Sequence, residues 1–244
     1  MPDPVNQTRP QAVDGPWRRL GALLWPARCL ACGEAGSGGQ DLCPPCRAGL
    51  PWNRRACGRC ALPLPAGDGT TTCGRCLRRP PPLDQVRSAC LYAAPLDRWL
   101  PRFKFHHDLA AGRLLAQLLA EACVDAPRPQ ALVPVPLHRV RLRQRGYDQA
   151  LELARPLAHA LDLPLRRRLL QRVRPTAPQS ELSAAARRRN LHGAFVVDTG
   201  AALPAHVVLV DDVMTTGATL HAAAGALHRA GVARVDAWVC ARVP

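Results

Sequence analysis

Two adjacent carboxylates, Asp211 and Asp212, are followed after two apolar residues by Thr215-Thr216-Gly217-Ala218-Thr219. Paired acids can hold the hydroxyls of a diol or a hydrated Mg2+. A loop of small and hydroxyl-bearing residues that runs into a helix presents backbone N–H groups and a favourable dipole to a phosphate. A sugar phosphate satisfies all of these groups together. The bland alternative is a strand–turn–helix junction with its acids in water. The flanking elements favour the first reading. Val207 to Val210 is apolar without alternation, as in strands buried on both faces of a parallel sheet. The spacing after the loop predicts a helix from Thr216 to Ala230, and open α/β sheets bind ligands at that strand-to-helix step.

The next chemistry-bearing group is the cysteines. Eight of the eleven form Cys-x-x-Cys pairs: Cys29/Cys32, Cys43/Cys46, Cys57/Cys60 and Cys73/Cys76. Each pair can aim two thiolates at one ion, and two pairs complete a tetrahedral Zn–S4 site. The intervals between pairs are ten, ten and twelve residues. They suit two successive ribbons, Cys29/Cys32/Cys43/Cys46 and Cys57/Cys60/Cys73/Cys76, while spacing alone leaves a cross-braced pairing open. Either way two structural Zn2+ ions are expected. A redox role would need a thioredoxin-like βαβ context, which this stretch lacks. Cys90, Cys123 and Cys240 stand in apolar surroundings and read as buried small hydrophobes.

A third group lies in the middle of the chain. Val133-Pro134-Val135-Pro136-Leu137-His138 leads into Arg139, Arg141, Arg143 and Arg145. Alternating arginines on an extended loop would share one side, where their planar forks could bind phosphate oxygens. The alternative is a solvated basic loop.

These groups need a scaffold, and the chain supplies one in two parts. Residues 1–16 read as a disordered leader. Residues 17–82 read as a short amphipathic helix through Trp17, Leu20, Leu23 and Leu24 and then two ribbons with too few apolar residues for their own core. Residues 83–244 alternate strands and helices, which gives a parallel, doubly wound α/β sheet. Strands are expected at 86–93, 131–133, 165–171, 195–197, 206–210 and 235–239, and Asp108 is expected to cap the helix that carries Leu115, Leu118 and Leu119. The apolar stretch Leu20 to Trp25 is too short for a signal peptide, and no stretch has the length of a membrane span. Paired cysteines in such a chain point to a cytoplasmic, metal-binding protein. The net charge of +15 favours phosphates or nucleic acid as partners, and Lys104 is the only lysine.

The run Val207 to Leu220 resembles the phosphoribosyl-pyrophosphate (PRPP) signature of type I phosphoribosyltransferases. With the ribbons, Val-Pro-Val-Pro, Arg145-Gly146-Tyr147-Asp148-Gln149-Ala150, Phe103-Lys104-Phe105 and Gln179-Ser180 through Gly193-Ala194-Phe195, the chain from about residue 20 onward is similar to the ComF family. It departs where the family usually has Phe-Asn, here Tyr147-Asp148, and where it favours a Gly-Asp turn, here His106-His107-Asp108. The resemblance implies that Asp211 and Asp212 hold the ribose hydroxyls. It also implies that Thr215, Thr216, Gly217, Ala218 and Thr219 hold the 5′-phosphate, with Mg2+ accompanying PRPP. Residues 176–190 would form a flap from which Gln179, Arg188 and Asn190 close over the ligand, with Arg139, Arg143 and Arg145 on its pyrophosphate. It links such proteins to DNA uptake in competent bacteria. Transfer of phosphoribosyl to an acceptor is one expectation. The other is a ribose-phosphate sensor whose basic ribbon residues contact single-stranded DNA and the uptake machinery. The sequence extends only from Arg242 to Pro244 past the last expected strand, so a nucleotide-salvage activity is not expected.

Overall fold

The apolar runs Ala131–Val133, Val207–Val210 and Ala237–Val239 lie in parallel strands, because none carries a polar residue that would force one face into water. The computed structural model describes residues 27–67, 69–174, 193–200 and 202–244. The expected leader, the helix around Trp17 and the expected flap lie outside the described residues. The chain divides into two compact units, one ending at Ala48 and the other running from Gly49 to Pro244.

The described part of the first unit is a Cys ribbon. The Cys29 N–H donates to the Glu34 carbonyl (2.7 Å) and the Gly33 N–H donates back to the Cys29 carbonyl (2.8 Å). Gly33 sits at φ +83°, a left-handed turn that glycine adopts without strain. Helix α1 (Pro44–Ala48) follows Cys43 directly.

The second unit opens with the same device. The Cys57 N–H donates to the Leu62 carbonyl (2.8 Å) and the Ala61 N–H to the Cys57 carbonyl (2.7 Å). Ala61 takes the place of Gly33 and is itself left-handed, at φ +52°. Helix α2 (Gly74–Arg78) then follows Cys73. The sheet and its helices come next, in the order β1 (Val86–Leu91), α3 (Leu96–Phe105), α4 (Leu109–Cys123), β2 (Ala131–Pro134), α5 (Arg139–Arg145), α6 (Gln149–Ala160), β3 (Leu170–Arg172), β4 (Phe195–Val197), β5 (His206–Met214), α7 (Ala218–Arg229) and β6 (Arg234–Arg242).

Strands β1, β6, β5 and β2 form one all-parallel sheet in that spatial order, and β3 pairs with β4 in a separate antiparallel ribbon. Val133, Val207, Leu209, Val235, Ala237 and Val239 pack with Leu220, Ala223, Ala224 and Leu227 of α7 and with Leu170 and Phe195 of the ribbon. Helices α4 and α6 pack on each other and against the sheet, with the Cys240 thiol 3.9 Å from the Leu115 carbonyl. The sheet is therefore doubly wound, as expected. Cys57, Cys60, Ala61 and Cys76 belong to the same apolar cluster as Leu83 and Val86, so the second ribbon is built into the unit that carries the sheet.

Helix α3 carries Pro101 in its interior, which withholds one backbone donor. Leu96, Trp99, Leu100 and Phe103 are buried at i, i+3, i+4 and i+7, and this stripe keeps the helix in place. The expected strand over 165–171 shrinks to Leu170–Arg172, with Leu165 reduced to a single bridge to Leu132.

Candidate functional site

Strands β2 and β5 are neighbours, with Pro134 opposite Val210, so the loops at their carboxyl ends meet. Between these loops lies a cavity of about 420 Å³ whose walls include Lys104, Arg141, Arg145, Arg172, Asp211, Asp212, Thr215 and Thr219. Both acids lie within β5, which runs on to Met214 instead of stopping at Val210. Strand pairing fixes their backbone against β6, with Asp211 opposite Val239.

Asp212 is 3% exposed, and its Oδ2 lies 3.0 Å from Lys104 Nζ. Burial alone would lower the Lys104 pKa, but the charge and hydrogen bond of Asp212 outweigh it and raise the ammonium above its ordinary value. Burial and the neighbouring Asp212 charge push Asp211 up to about 8. The acid pair thus holds a proton near neutrality, and a cation or the hydroxyls of a diol would relieve it.

The phosphate-type loop is set by Gly217. At φ +78° it caps α7 without a side-chain hydrogen bond. A Cβ there would collide with Met214 Cε and lie 2.9 Å from His221 Nε2. Arg242, 2% exposed, fixes the other end of the loop. Its Nε donates to the Cys60 carbonyl (2.8 Å), and its Nη1 donates to the Met214 (3.0 Å) and Thr215 (2.5 Å) carbonyls. One buried guanidinium therefore joins the second Cys ribbon to the loop. The loop's side chains divide: Thr215 and Thr219 line the cavity with the acids, whereas Thr216 and Ala218 line a different one.

The arginine segment is corrected. Residues 139–145 are helical, so alternate arginines do not share a side; residues four apart do. Arg141 and Arg145 line the cavity, and Arg139 and Arg143 are not among its walls. Arg145 donates to Gln149 Oε1 (2.6 Å) and lies 5.2 Å from the Phe105 ring centre. Asp148 ties this region together by accepting from the Ala150 and Leu151 N–H groups at the start of α6 and from the Leu137 N–H after β2. His107, where a glycine would be usual for such proteins, adopts φ +54°, and its ring lies 5.2 Å from that of Tyr147. Asp108 accepts from the Ala111 N–H and caps α4 as expected.

Two residues of the cavity were not singled out as ligands by sequence. Lys104 was distinguished only by being a single lysine and by its Phe-Lys-Phe context. Arg172 is buried, lies 5.5 Å over the Phe195 ring and belongs to the β3–β4 ribbon. One more arginine in an arginine-rich chain carried no signal. Gln179, Arg188 and Asn190 lie outside the described residues, in the segment that leaves the ribbon beyond Arg172 and returns before Phe195. Trp238, paired with Val210 across the sheet, is buried within β6 and offers no exposed stacking face.

The cysteines resolve into two successive groups, Cys29/Cys32/Cys43/Cys46 and Cys57/Cys60/Cys73/Cys76, each with its sulfurs within 4.8 Å of one another. Cys32–Cys43 and Cys60–Cys73 sulfurs are 3.7 Å apart. A tetrahedron with Zn–S of about 2.3 Å has edges of about 3.8 Å, so both sets fit zinc. Although burial opposes it, backbone N–H donors bring Cys29 down to about 6; with its backbone and Cys neighbours, Cys73 falls to about 7. One thiol in each group is thus lowered, while Cys32, Cys46, Cys60 and Cys76 are raised. Cys90, Cys123 and Cys240 are buried away from these groups, and burial pushes the Cys90 thiol up to about 12.

Residues 20–77 match the family described as a double zinc ribbon domain, and residues 148–244 match a phosphoribosyl transferase domain. The chain is 39% identical over 223 residues to "DNA utilization protein YhgH" of Salmonella typhi, covering 88% of this chain and 89% of that protein. It is 36% identical over 224 residues to "Competence protein F" of Haemophilus influenzae, covering 88% and 96%. The chain belongs to the ComF family. "Competence protein ComFC" of Bacillus subtilis is a more distant relative, 31% identical over 155 residues and covering 62% of this chain and 61% of that protein. The double-ribbon match and the sulfur geometry together assign two structural zinc sites, and the phosphoribosyltransferase match spans the segment from Asp148 through the β5–α7 loop. Among the described residues, no helix is long and apolar enough to cross a membrane.

Proposed function

We propose that the cavity at the end of β5 binds PRPP or a closely related ribose phosphate with Mg2+, and that the protein transfers the phosphoribosyl group to an acceptor. The observation that carries this reading is the sharing of one cavity by Asp211, Asp212, Thr215 and Thr219 with Lys104, Arg141, Arg145 and Arg172. Thr215 and Thr219, with the amino end of α7 behind them, hold the 5′-phosphate. Asp211 and Asp212 hold the ribose hydroxyls. Mg2+, when bound with the ligand, neutralises phosphate charge through oxygen ligands. Arg141, Arg145 and Arg172 draw the pyrophosphate away as it leaves and stabilise the charge that develops on it. Lys104 orients Asp212 through the ion pair between them. The family resemblance assigns Gln179, Arg188 and Asn190, in the 176–190 segment outside the described residues, to contact with the ligand.

Transfer is tested by pyrophosphate release from PRPP across a panel of nucleobases, amines and single-stranded oligonucleotides. Acceptor-dependent release that is lost in Asp212→Asn supports transfer. PRPP binding with no release under any acceptor leaves a ligand-sensing role in place of catalysis.

A second reading has its own support. The relatives are named for competence and DNA utilization, and Arg54, Arg55, Arg75, Arg78 and Arg79 around the second ribbon are exposed. In this reading the ribbon binds single-stranded DNA electrostatically while the cavity senses ribose phosphate. The chain has few aromatic residues, so affinity should fall steeply with salt. Salt-independent or absent strand binding refutes it.

A further inference from the structure

A second cavity, of about 500 Å³, runs along the outer face of α7. Thr216, just before the helix, and His221, Gly225 and Arg229 on it line one side, and Arg75, Arg79 and the run Pro80-Pro81-Pro82 also line the cavity. Among the described residues it shares no lining residue with the cavity of Asp211 and Asp212; Thr215 lines that cavity and Thr216 this one. From Ala218 to Arg229 the helix rises about 16 Å, so the space is an elongated groove.

Its chemistry is one-sided. Among the described residues, three arginines line it and no carboxylate does, the negative charge there being that of the zinc-ligand sulfurs Cys60 and Cys76; none of the three arginines is in an ion pair among the described residues. Three guanidiniums along one groove outnumber those two sulfurs, and their planar forks suit the oxygens of a phosphate. Between the charges the walls are apolar or small: three prolines, Ala218, Ala222 and Gly225. Such walls accept the face of a flat ring. His221 Nε2 is buried there without a hydrogen-bond partner. Burial, with the charges of Arg75 and Arg242, holds this imidazole down at about 4, so it is neutral and available to a ligand's polar edge.

We infer that this groove is a second ligand site, for a nucleoside phosphate, with the phosphates on the arginines and the base along the proline and alanine walls. The site is distinct from the ribose-phosphate cavity and does not depend on that cavity's proposed ligand. Because Thr216 and Thr215 are consecutive residues of one loop, a ligand in the groove touches the element that closes the first cavity.

The test is calorimetric titration of the zinc-loaded full chain with ATP, inorganic pyrophosphate and a single-stranded oligothymidylate. Arg79→Gln with Arg229→Gln removes two charges; Gly225→Leu fills the groove without removing any, since a Cβ there meets only the end of the Arg229 side chain at 3.3 Å. Zinc content and thermal melting confirm that each variant is folded. ATP should bind the wild type, more tightly than pyrophosphate, and both variants should weaken it by about tenfold or more. Asp212→Asn should leave ATP affinity unchanged. The inference is overturned if ATP does not bind, if pyrophosphate binds as tightly, or if neither groove variant alters ATP binding. It is equally overturned if Asp212→Asn abolishes ATP binding, or if only the oligothymidylate responds to the groove variants.

Discussion

Replacing Lys104 with methionine should destabilise the protein in a pH-dependent way. The ammonium lies 3.0 Å from Asp212 Oδ2, with the lysine side chain 23% and the aspartate side chain 5% exposed. At that separation the attraction is about 5 kcal/mol for an effective dielectric constant near 20. Desolvation of the two groups offsets much of it, but removing one partner leaves the other's burial uncompensated, typically about 3–5 kcal/mol. Partial exposure of the lysine, and the freedom of the orphaned carboxylate to take up a proton, reduce the expected loss to about 2–3 kcal/mol at pH 8. For a domain of this size that is a fall in Tm of about 5–10 °C. At pH 5 the variant can protonate the orphaned acid, so the difference from wild type should shrink to below about 1 kcal/mol. Urea unfolding at both pH values, with Asp212→Asn added to the Lys104→Met background, measures this directly. The double variant should recover most of the loss. A loss below about 0.5 kcal/mol at pH 8, or one of equal size at pH 5, would refute the buried ion pair as a structural element.

Further expectations follow from the same site. Asp211 is raised from 3.8 to about 8 by burial and the Asp212 charge, so the folded protein keeps a proton that the unfolded chain releases. Its contribution to stability is full below about pH 4, declines as pH rises to about 8 and is flat above. Asp211→Asn should flatten that part of a pH–stability curve, and an unchanged curve would contradict it. Gly217→Val must adopt φ +78° and press on Met214 and His221; a loss of about 2–3 kcal/mol is expected in denaturant unfolding, and a neutral result would mean the loop rearranges freely. Elemental analysis should find two zinc ions per chain, falling to one in Cys32→Ser or Cys57→Ser. Only Cys57→Ser should lower the main melting transition markedly, since Cys57 belongs to the apolar cluster shared with the sheet; equal shifts in both variants would contradict this.

The β5–α7 step was legible because several independent signals coincide there: an unbroken apolar run, adjacent acids, and a glycine where the chain must turn left-handed. The zinc ligands were legible from spacing, but their pairing was not, since two intervals of ten residues serve either arrangement. Helix α3 was hidden by Pro101, whose local effect is outweighed by a buried stripe that only tertiary packing reveals. The arginines of 139–145 were recognised as a group but given the wrong period: a two-residue repeat of Arg fits an extended chain, yet the His138 cap and the left-handed Gly146 bound a helix there. Lys104 and Arg172 were out of reach for another reason. Each comes to the acids from a distant part of the chain, and nothing in local sequence fixes such a meeting.

The account rests on the cavity of Asp211, Asp212, Thr215 and Thr219 as a ribose-phosphate site. Calorimetric titration with PRPP, in the presence and absence of Mg2+, on the wild type and on Asp212→Ala tests it most directly. The account predicts saturable, Mg2+-dependent binding of one PRPP per chain, weakened by about tenfold or more in the variant. Absence of PRPP binding with Mg2+ present, or equal affinity in Asp212→Ala, would contradict it.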